Sequence, residues 1–261
     1  MSAAGNGRLA GRTAIVTGAA HGERAALGVA FAKALAREGA KVAVADIKDT
    51  SDVAREIEAE GGQALSLRVD VTQEAQINEM VARTIERFGS LEILVNNAAL
   101  GSNIPPVAVT DLTVEEWDKL MAVNVRGPFL CVKAAVHQMQ KQKYGKIINI
   151  ASTTMMTGLT HRLHYTSAKG AILGMTRSLA GELGVDGIRV NATAFGLVNS
   201  NLTEESFRKN PKREADMLGK RALPIHYRAE DLGATIVYLA SADSDHMTGQ
   251  CLVVDAGEHY Y

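Results

Sequence analysis

Residues 13–46 read T-A-I-V-T-G-A-A-H-G-E-R-A-A-L-G-V-A-F-A-K-A-L-A-R-E-G-A-K-V-A-V-A-D. Thr13-Ala14-Ile15-Val16-Thr17 is an apolar run of strand length. Glycines follow at Gly18, Gly22 and Gly28, and an alanine-rich helix from about Leu27 to Glu38 stops at Gly39, a plausible C-cap. Lys41 to Asp46 is a second strand, closed by an acid. Strand, glycine turn, helix and strand with a terminal acid make the plan of a dinucleotide-binding βαβ unit. The glycines let backbone amides approach a pyrophosphate at the helix N-terminus. Asp46 is placed to accept hydrogen bonds from the adenosine ribose hydroxyls, and it repels a 2′-phosphate, so it favours NAD over NADP.

The alternation continues outward from this unit. Helical patterns run over Asp52 to Glu60, Glu74 to Phe88 (closed by Gly89), Val114 to Gln140, Arg162 to Leu183 and Ala229 to Ala240. Strand patterns run over Ala64 to Val69, Ile93 to Val95, Lys146 to Ile150, Gly187 to Ala194 and Cys251 to Asp255. Asn201 to Leu218 is polar and helix-like. Strands alternating with helices throughout predict an α/β fold: one doubly wound, seven-stranded parallel sheet with helices on both faces, in three layers. No linker or repeat interrupts it, so residues 1–261 read as a single domain.

A second stretch, Asn149 to Gly170, carries chemistry. Tyr165 and Lys169 are four apart, so on a helix they share a face. An ammonium close to a phenol favours the phenolate and predicts a lowered tyrosine pKa. Such a tyrosine can exchange a proton with an alcohol or ketone near neutral pH. Ser152 ends the buried run Ile147-Ile148-Asn149-Ile150, from which its hydroxyl can meet the same oxygen. On its own, Y-x-x-x-K is common as a pair on a helix surface, and a serine at a strand end is common as a cap.

Composition narrows the partners. Hydrophobic residues make up 46% and charged residues 22%, enough apolar material for a sizeable core, and the net charge of −1 offers nothing to nucleic acid or an anionic membrane. No apolar run has the length of a membrane span, and Met1 to Gly11 has no hydrophobic signal core. The two cysteines, Cys131 and Cys251, are far apart and read as buried thiols in a reducing compartment. A cytoplasmic protein without a disulfide or a structural metal is expected.

Taken together, these features resemble the short-chain dehydrogenase/reductase family in its common single-domain form, over nearly the whole chain. Asn96-Asn97-Ala98 is similar to the family's N-N-A-G, with Ala99 in the glycine's place. Asp70-Val71 matches the pair at the adenine, and Asn124 in Asn-Val-Arg-Gly matches the helix asparagine that holds a water in a proton relay. Ser152 and Tyr165 stand 165 − 152 = 13 apart, as the family has them. Asn191 to Ser200 is similar to N-A-x-x-P-G-x-V-x-T, and Thr248-Gly249-Gln250 with Asp255-Ala256-Gly257 to the closing T-G-Q and D-G-G. The resemblance implies a Rossmann fold and hydride transfer between a nicotinamide and a carbinol or carbonyl carbon. The catalytic set it implies is Asn124, Ser152, Tyr165 and Lys169. The cofactor set is Gly18, Gly22, Gly28, Asp46, Ile47, Asp70, Val71, Asn97, Ala98, Tyr165, Lys169, Val198 and Ser200. Around the substrate it places Ser152, Thr154, Met155, Tyr165 and Gly196, beside the loop Leu100 to Ile104, with residues 201–222 as a lid. A homotetramer is implied, built on the long helices and the last strand, with Cys131 at or near an interface.

Three departures qualify the pattern. Eight residues, Ala19 to Ala26, separate Gly18 from Leu27 where the family has four, which enlarges the turn around Gly22-Glu23-Arg24 and raises the question of whether His21 or Arg24 meets a phosphate. Phe195 replaces the proline before Gly196, and Ser200 replaces a threonine. The methionines at 155 and 156 favour a hydrophobic or ring-bearing ligand over a sugar. His161, Arg162 and His164, just before Tyr165, read as a solvated helix start, with contact between one of them and an anionic substrate group as the alternative. The leading expectation is an NAD-dependent secondary alcohol dehydrogenase or ketone reductase. The alternatives are an NADPH-dependent 3-oxoacyl thioester reductase and, in another class, a non-catalytic nucleotide-binding sensor on the same fold.

Overall fold

A computed structural model describes residues 7–22, 26–101 and 104–260. In chain order the elements are β1 (Thr13–Thr17), α1 (Leu27–Arg37), β2 (Lys41–Asp46), α2 (Ser51–Ala59), β3 (Gln63–Arg68), α3 (Glu74–Phe88) and β4 (Ile93–Asn96). They continue with α4 (Val114–Met121), α5 (Gly127–Gln142), β5 (Gly145–Ser152), α6 (Thr154–Thr157), α7 (Leu163–Leu183) and β6 (Ile188–Phe195). The chain closes with α8 (Asn201–Lys209), α9 (Pro211–Leu218), α10 (Gly233–Ala240) and β7 (Cys251–Val254). The seven strands form one parallel sheet in the order β3-β2-β1-β4-β5-β6-β7.

Both faces of the sheet are covered, as near-continuous apolar strands require. Along β1 the side chains alternate between two cores. Ala14 and Val16 pack on one face with Phe31 and Leu35 of α1 and Ile236 of α10. Ile15 packs on the other with Ile77 and Met80 of α3 and Leu130 and Met139 of α5. Phe31 is fully buried against Phe195, with ring centroids 5.8 Å apart, so the residue in the expected proline's place serves as a core aromatic. Cys131 is buried in the second core, and burial pushes its thiol up to about 12.

The order reverses between β1 and β4, whose helices leave on opposite faces. The crevice outside the carboxyl ends of strands at such a switch point is where open α/β sheets bind ligands. The helix expected over Val114 to Gln140 is present without a gap, but it widens in the middle. α4, which opens on a Thr113–Glu116 capping box, gives way to a π-helical turn at Ala122–Arg126 before α5. Pro128 supplies the reason: it has no N–H to give the Asn124 carbonyl four residues back, and its ring crowds that carbonyl. The helix-like segment Asn201 to Leu218 is two helices, divided where Pro211 begins α9. Among the described residues no helix is long and apolar enough to cross a membrane.

Candidate active site

The glycine turn is clamped from the neighbouring strand. Thr17 Oγ1 donates to the Val95 carbonyl and accepts from the backbone N–H of Asn97 and of Ala98, each at 3.1 Å. Asn97 Nδ2 donates to the carbonyls of Thr17 and Gly18, both at 2.9 Å. Gly18 has a φ of +68°, and a side chain there meets the Ala98 backbone at 2.7 Å. At Gly28 a Cβ collides with the Gly18 carbonyl oxygen, whereas at Gly22 it meets nothing within 4 Å. The structure therefore brings Gly18 and Gly28 together and leaves Gly22 in open space. Within the enlarged turn, Glu23, Arg24 and Ala25 lie outside the described residues. His21 is drawn away from the turn: its Nε2 lies 2.8 Å from Glu56 Oε1 on α2, a carboxylate that Lys33 also holds.

A cavity of about 270 Å³ opens at the switch point. Asp46, Ile47, Asp70, Val71 and Ala98 are among the residues that line it. Asp46 Oδ2 accepts from the Ala20 N–H at 3.2 Å and Oδ1 from the Lys48 N–H at 2.9 Å, so the carboxylate is held at the end of β2. Asp70 Oδ1 accepts from the Thr72 N–H and hydroxyl, which makes it the acid of a tight turn as well as a wall of the cavity. The cavity therefore fits an adenosine: an acid bonded to the glycine turn, with glycines beside it whose space side chains would fill.

Ser152, Tyr165 and Lys169 meet where β5 ends against α7. Ser152 Oγ accepts from the Thr154 N–H at 3.3 Å and pairs with the Thr154 hydroxyl at 3.1 Å. Lys169 is buried and its Nζ donates to the Ile150 carbonyl at 2.7 Å, 5.8 Å from the centroid of the Tyr165 ring. Burial pushes this ammonium down to about 8. Tyr165 differs from expectation. Burial holds its phenol above the usual tyrosine range, opposed by the Ser152 hydroxyl and by the Arg162 guanidinium. The lysine engages a carbonyl, and desolvation is the largest cause of both shifts.

Asn124 is buried in the π-helical turn, and both polar atoms of its amide bond Leu100. Nδ2 donates to the Leu100 carbonyl and Oδ1 accepts from the Leu100 N–H, both at 2.7 Å. The side chain thus staples the loop after β4. The same loop lies on Tyr165: a Cβ at Gly101 comes within 2.5 Å of the ring. Ser102 and Asn103, part of the predicted substrate loop, lie outside the described residues.

Other predicted residues take structural duties. Met155 packs on the small core of Ala151, Ile172 and Ala194. Gly196 is required by packing, since a side chain there meets the Tyr227 hydroxyl at 2.6 Å and Asp255 Cβ at 2.9 Å. Val198 packs against the first core. Ser200 Oγ accepts from the Thr203 N–H and caps α8. Sequence reasoning missed Thr17, for which its place before the first glycine was the available signal. It also missed Arg221, buried at the end of the lid, which donates to the carbonyls of Leu197 and Ile225 and has no signature in the chain.

Residues 18–259 match the family model described as enoyl-(acyl carrier protein) reductase. The chain is 37% identical to a sorbitol dehydrogenase of Cereibacter sphaeroides, over 96% of this chain and 98% of that one. It is 37% identical to a 3-alpha-(or 20-beta)-hydroxysteroid dehydrogenase of Mycobacterium tuberculosis, over 97% and 91%. A solved structure described as a short-chain alcohol dehydrogenase of Sinorhizobium meliloti superposes with a TM-score of 0.87 at 33% identity, covering 96% of this chain and 97% of that one.

Proposed function

The chain belongs to the short-chain dehydrogenase/reductase family of oxidoreductases, and on that premise we propose that it is an NAD-dependent enzyme interconverting secondary alcohols and ketones. The observation that carries the reading is the loop after β4, where Leu100 lines the cavity that holds Asp46 and the next residue, Gly101, abuts the ring of Tyr165 in the Ser152–Tyr165–Lys169 group. A nicotinamide dinucleotide held by Gly18, Asp46, Asp70, Asn97 and Lys169 would supply the hydride acceptor or donor. The chain supplies the rest. Tyr165 gives its proton to the carbonyl oxygen in reduction and takes the hydroxyl proton in oxidation. Its raised pKa keeps it protonated through neutral pH in the unliganded chain, the form that serves reduction. Ser152 Oγ holds the reacting oxygen from the strand side. Lys169, near 8, can pass a proton toward the Asn124 backbone carbonyl through water. The hydrophobic or ring-bearing substrate is inferred from Met156, and relatives named for steroid and polyol substrates support a carbinol.

The test is a fluorescence titration with NADH and NADPH, followed by an assay of secondary alcohols such as 1-phenylethanol with NAD. Tight NADH, weak NADPH and turnover that Tyr165→Phe abolishes, a loss of about 10²–10⁴-fold, are expected. Equal binding of NADPH would remove Asp46 as the discriminator, and an active Tyr165→Phe variant would remove the mechanism.

A further inference from the structure

The basic residues ahead of Tyr165 do not form the solvated helix start that the sequence suggested. His164 is buried, without a partner at Nδ1, and burial disfavours its charged form. His161 is exposed in left-handed backbone, and its carbonyl accepts from the Val107 N–H at 3.0 Å. Arg162 is half-buried, and its Nη1 donates to the Gly101 carbonyl at 3.2 Å. The guanidinium therefore lies in the seam between the loop after β4 and the start of α7. Gly101 is the residue whose backbone abuts the Tyr165 ring, so the cation stands beside the phenol, and its field reaches that oxygen. A guanidinium has five N–H donors in a rigid fork suited to carboxylate, sulfonate or phosphate. One of them is used here, by a neutral carbonyl, and no carboxylate among the described residues pairs with Arg162. Half-buried donors of a permanent charge cost free energy unless an anion or water completes them.

We propose that Arg162 is a specificity residue that binds an anionic group on the substrate, so that the physiological substrate is a secondary carbinol (or its ketone) bearing an acid a few bonds from the reacting carbon. The inference rests on the dehydrogenase reading and narrows its substrate class. The hydrophobic body faces the apolar side of the site, and the acid faces Arg162. A brace between Gly101 and α7 is the structural alternative for this arginine, and the two roles separate by substrate.

The experiment compares 3-hydroxy-3-phenylpropanoate and 4-hydroxy-4-phenylbutanoate with 1-phenyl-1-propanol and 1-phenyl-1-butanol, in wild type, Arg162→Gln and Arg162→Lys. In wild type, kcat/KM for at least one acid is expected to exceed that for its neutral counterpart by about tenfold or more, through KM, and the preference is expected to shrink as salt rises. Arg162→Gln is expected to collapse the acid-to-neutral ratio, and Arg162→Lys to restore part of it. A brace predicts equal losses for acid and neutral substrates, and that result, or a wild type without acid preference, overturns the proposal. Calorimetry of the unreactive acids 3-phenylpropanoate and 4-phenylbutanoate, added to protein with NADH, gives a second readout. Arg162-dependent binding without turnover of any carbinol would sink the dehydrogenase reading and leave the anion site standing; no such binding sinks the anion site.

Discussion

Tyr165 and Lys169 show how burial sets chemistry at the scale of one residue. Both are taken out of water, and in both the neutral form gains. For Lys169 the sign can be followed to stability. The side chain titrates near 8 in the folded chain and near about 10.4 in an unfolded one. Between those values the unfolded chain binds more protons, so the lysine's contribution to stability rises with pH, and below 8 it is a constant penalty. Wild type is therefore expected to gain on Lys169→Met by roughly 2–3 kcal/mol as pH rises from about 8 to about 10. Urea unfolding at both pH values checks this; a constant difference would mean that the ammonium is compensated in the fold. The glycines divide at the same scale. Gly28→Ala drives a methyl into the Gly18 carbonyl and is expected to cost about 2–3 kcal/mol or more and to abolish NADH binding. Gly22→Ala meets open space and is expected to stay within about 0.5 kcal/mol of wild type in the same melts and titrations.

At the scale of the element, the π-helical turn between α4 and α5 carries the most consequence. A regular α-helical turn would take an N–H from residue 128 for the Asn124 carbonyl, and Pro128 has none to give. The same turn aims the Asn124 amide at Leu100, and through Leu100 it holds the loop that covers Tyr165. Asn124→Ala leaves a backbone N–H and C=O of Leu100 unpaired, at about 1–3 kcal/mol each. The expected result is a lower melting temperature together with a fall in kcat larger than any rise in the NADH dissociation constant. A change in NADH binding alone would place the residue's role at the cofactor. The lid is likewise an arrangement of ends. Ser200 caps α8, while Arg221 and the Asn199–Tyr227 backbone bond tie the two ends of the excursion together.

Over the whole molecule, the sheet ends in β3 and β7, and β7 is half-exposed along its length. An open edge strand with apolar residues is a surface that proteins cover. We infer that a homotetramer covers it, with α4, α5 and α7 forming the other contact, and light scattering at micromolar concentration is expected to give about four chain masses. A monomer would show that β7 stands in water.

The sequence by itself determined the architecture, because apolar period, glycine turns and strand length are local properties written every few residues. It also placed Asp46, Ser152, Tyr165 and Lys169 on their elements, since each stands at a strand end or on a helix face. What tertiary structure decided was the environment of those groups. That Lys169 spends its ammonium on Ile150, that Asn124 holds Leu100, that Gly196 is demanded by Tyr227 and that Arg162 reaches Gly101 all depend on contacts between distant segments. Burial, and with it the order of the pKa values, follows from packing in three dimensions, which no spacing along the chain encodes.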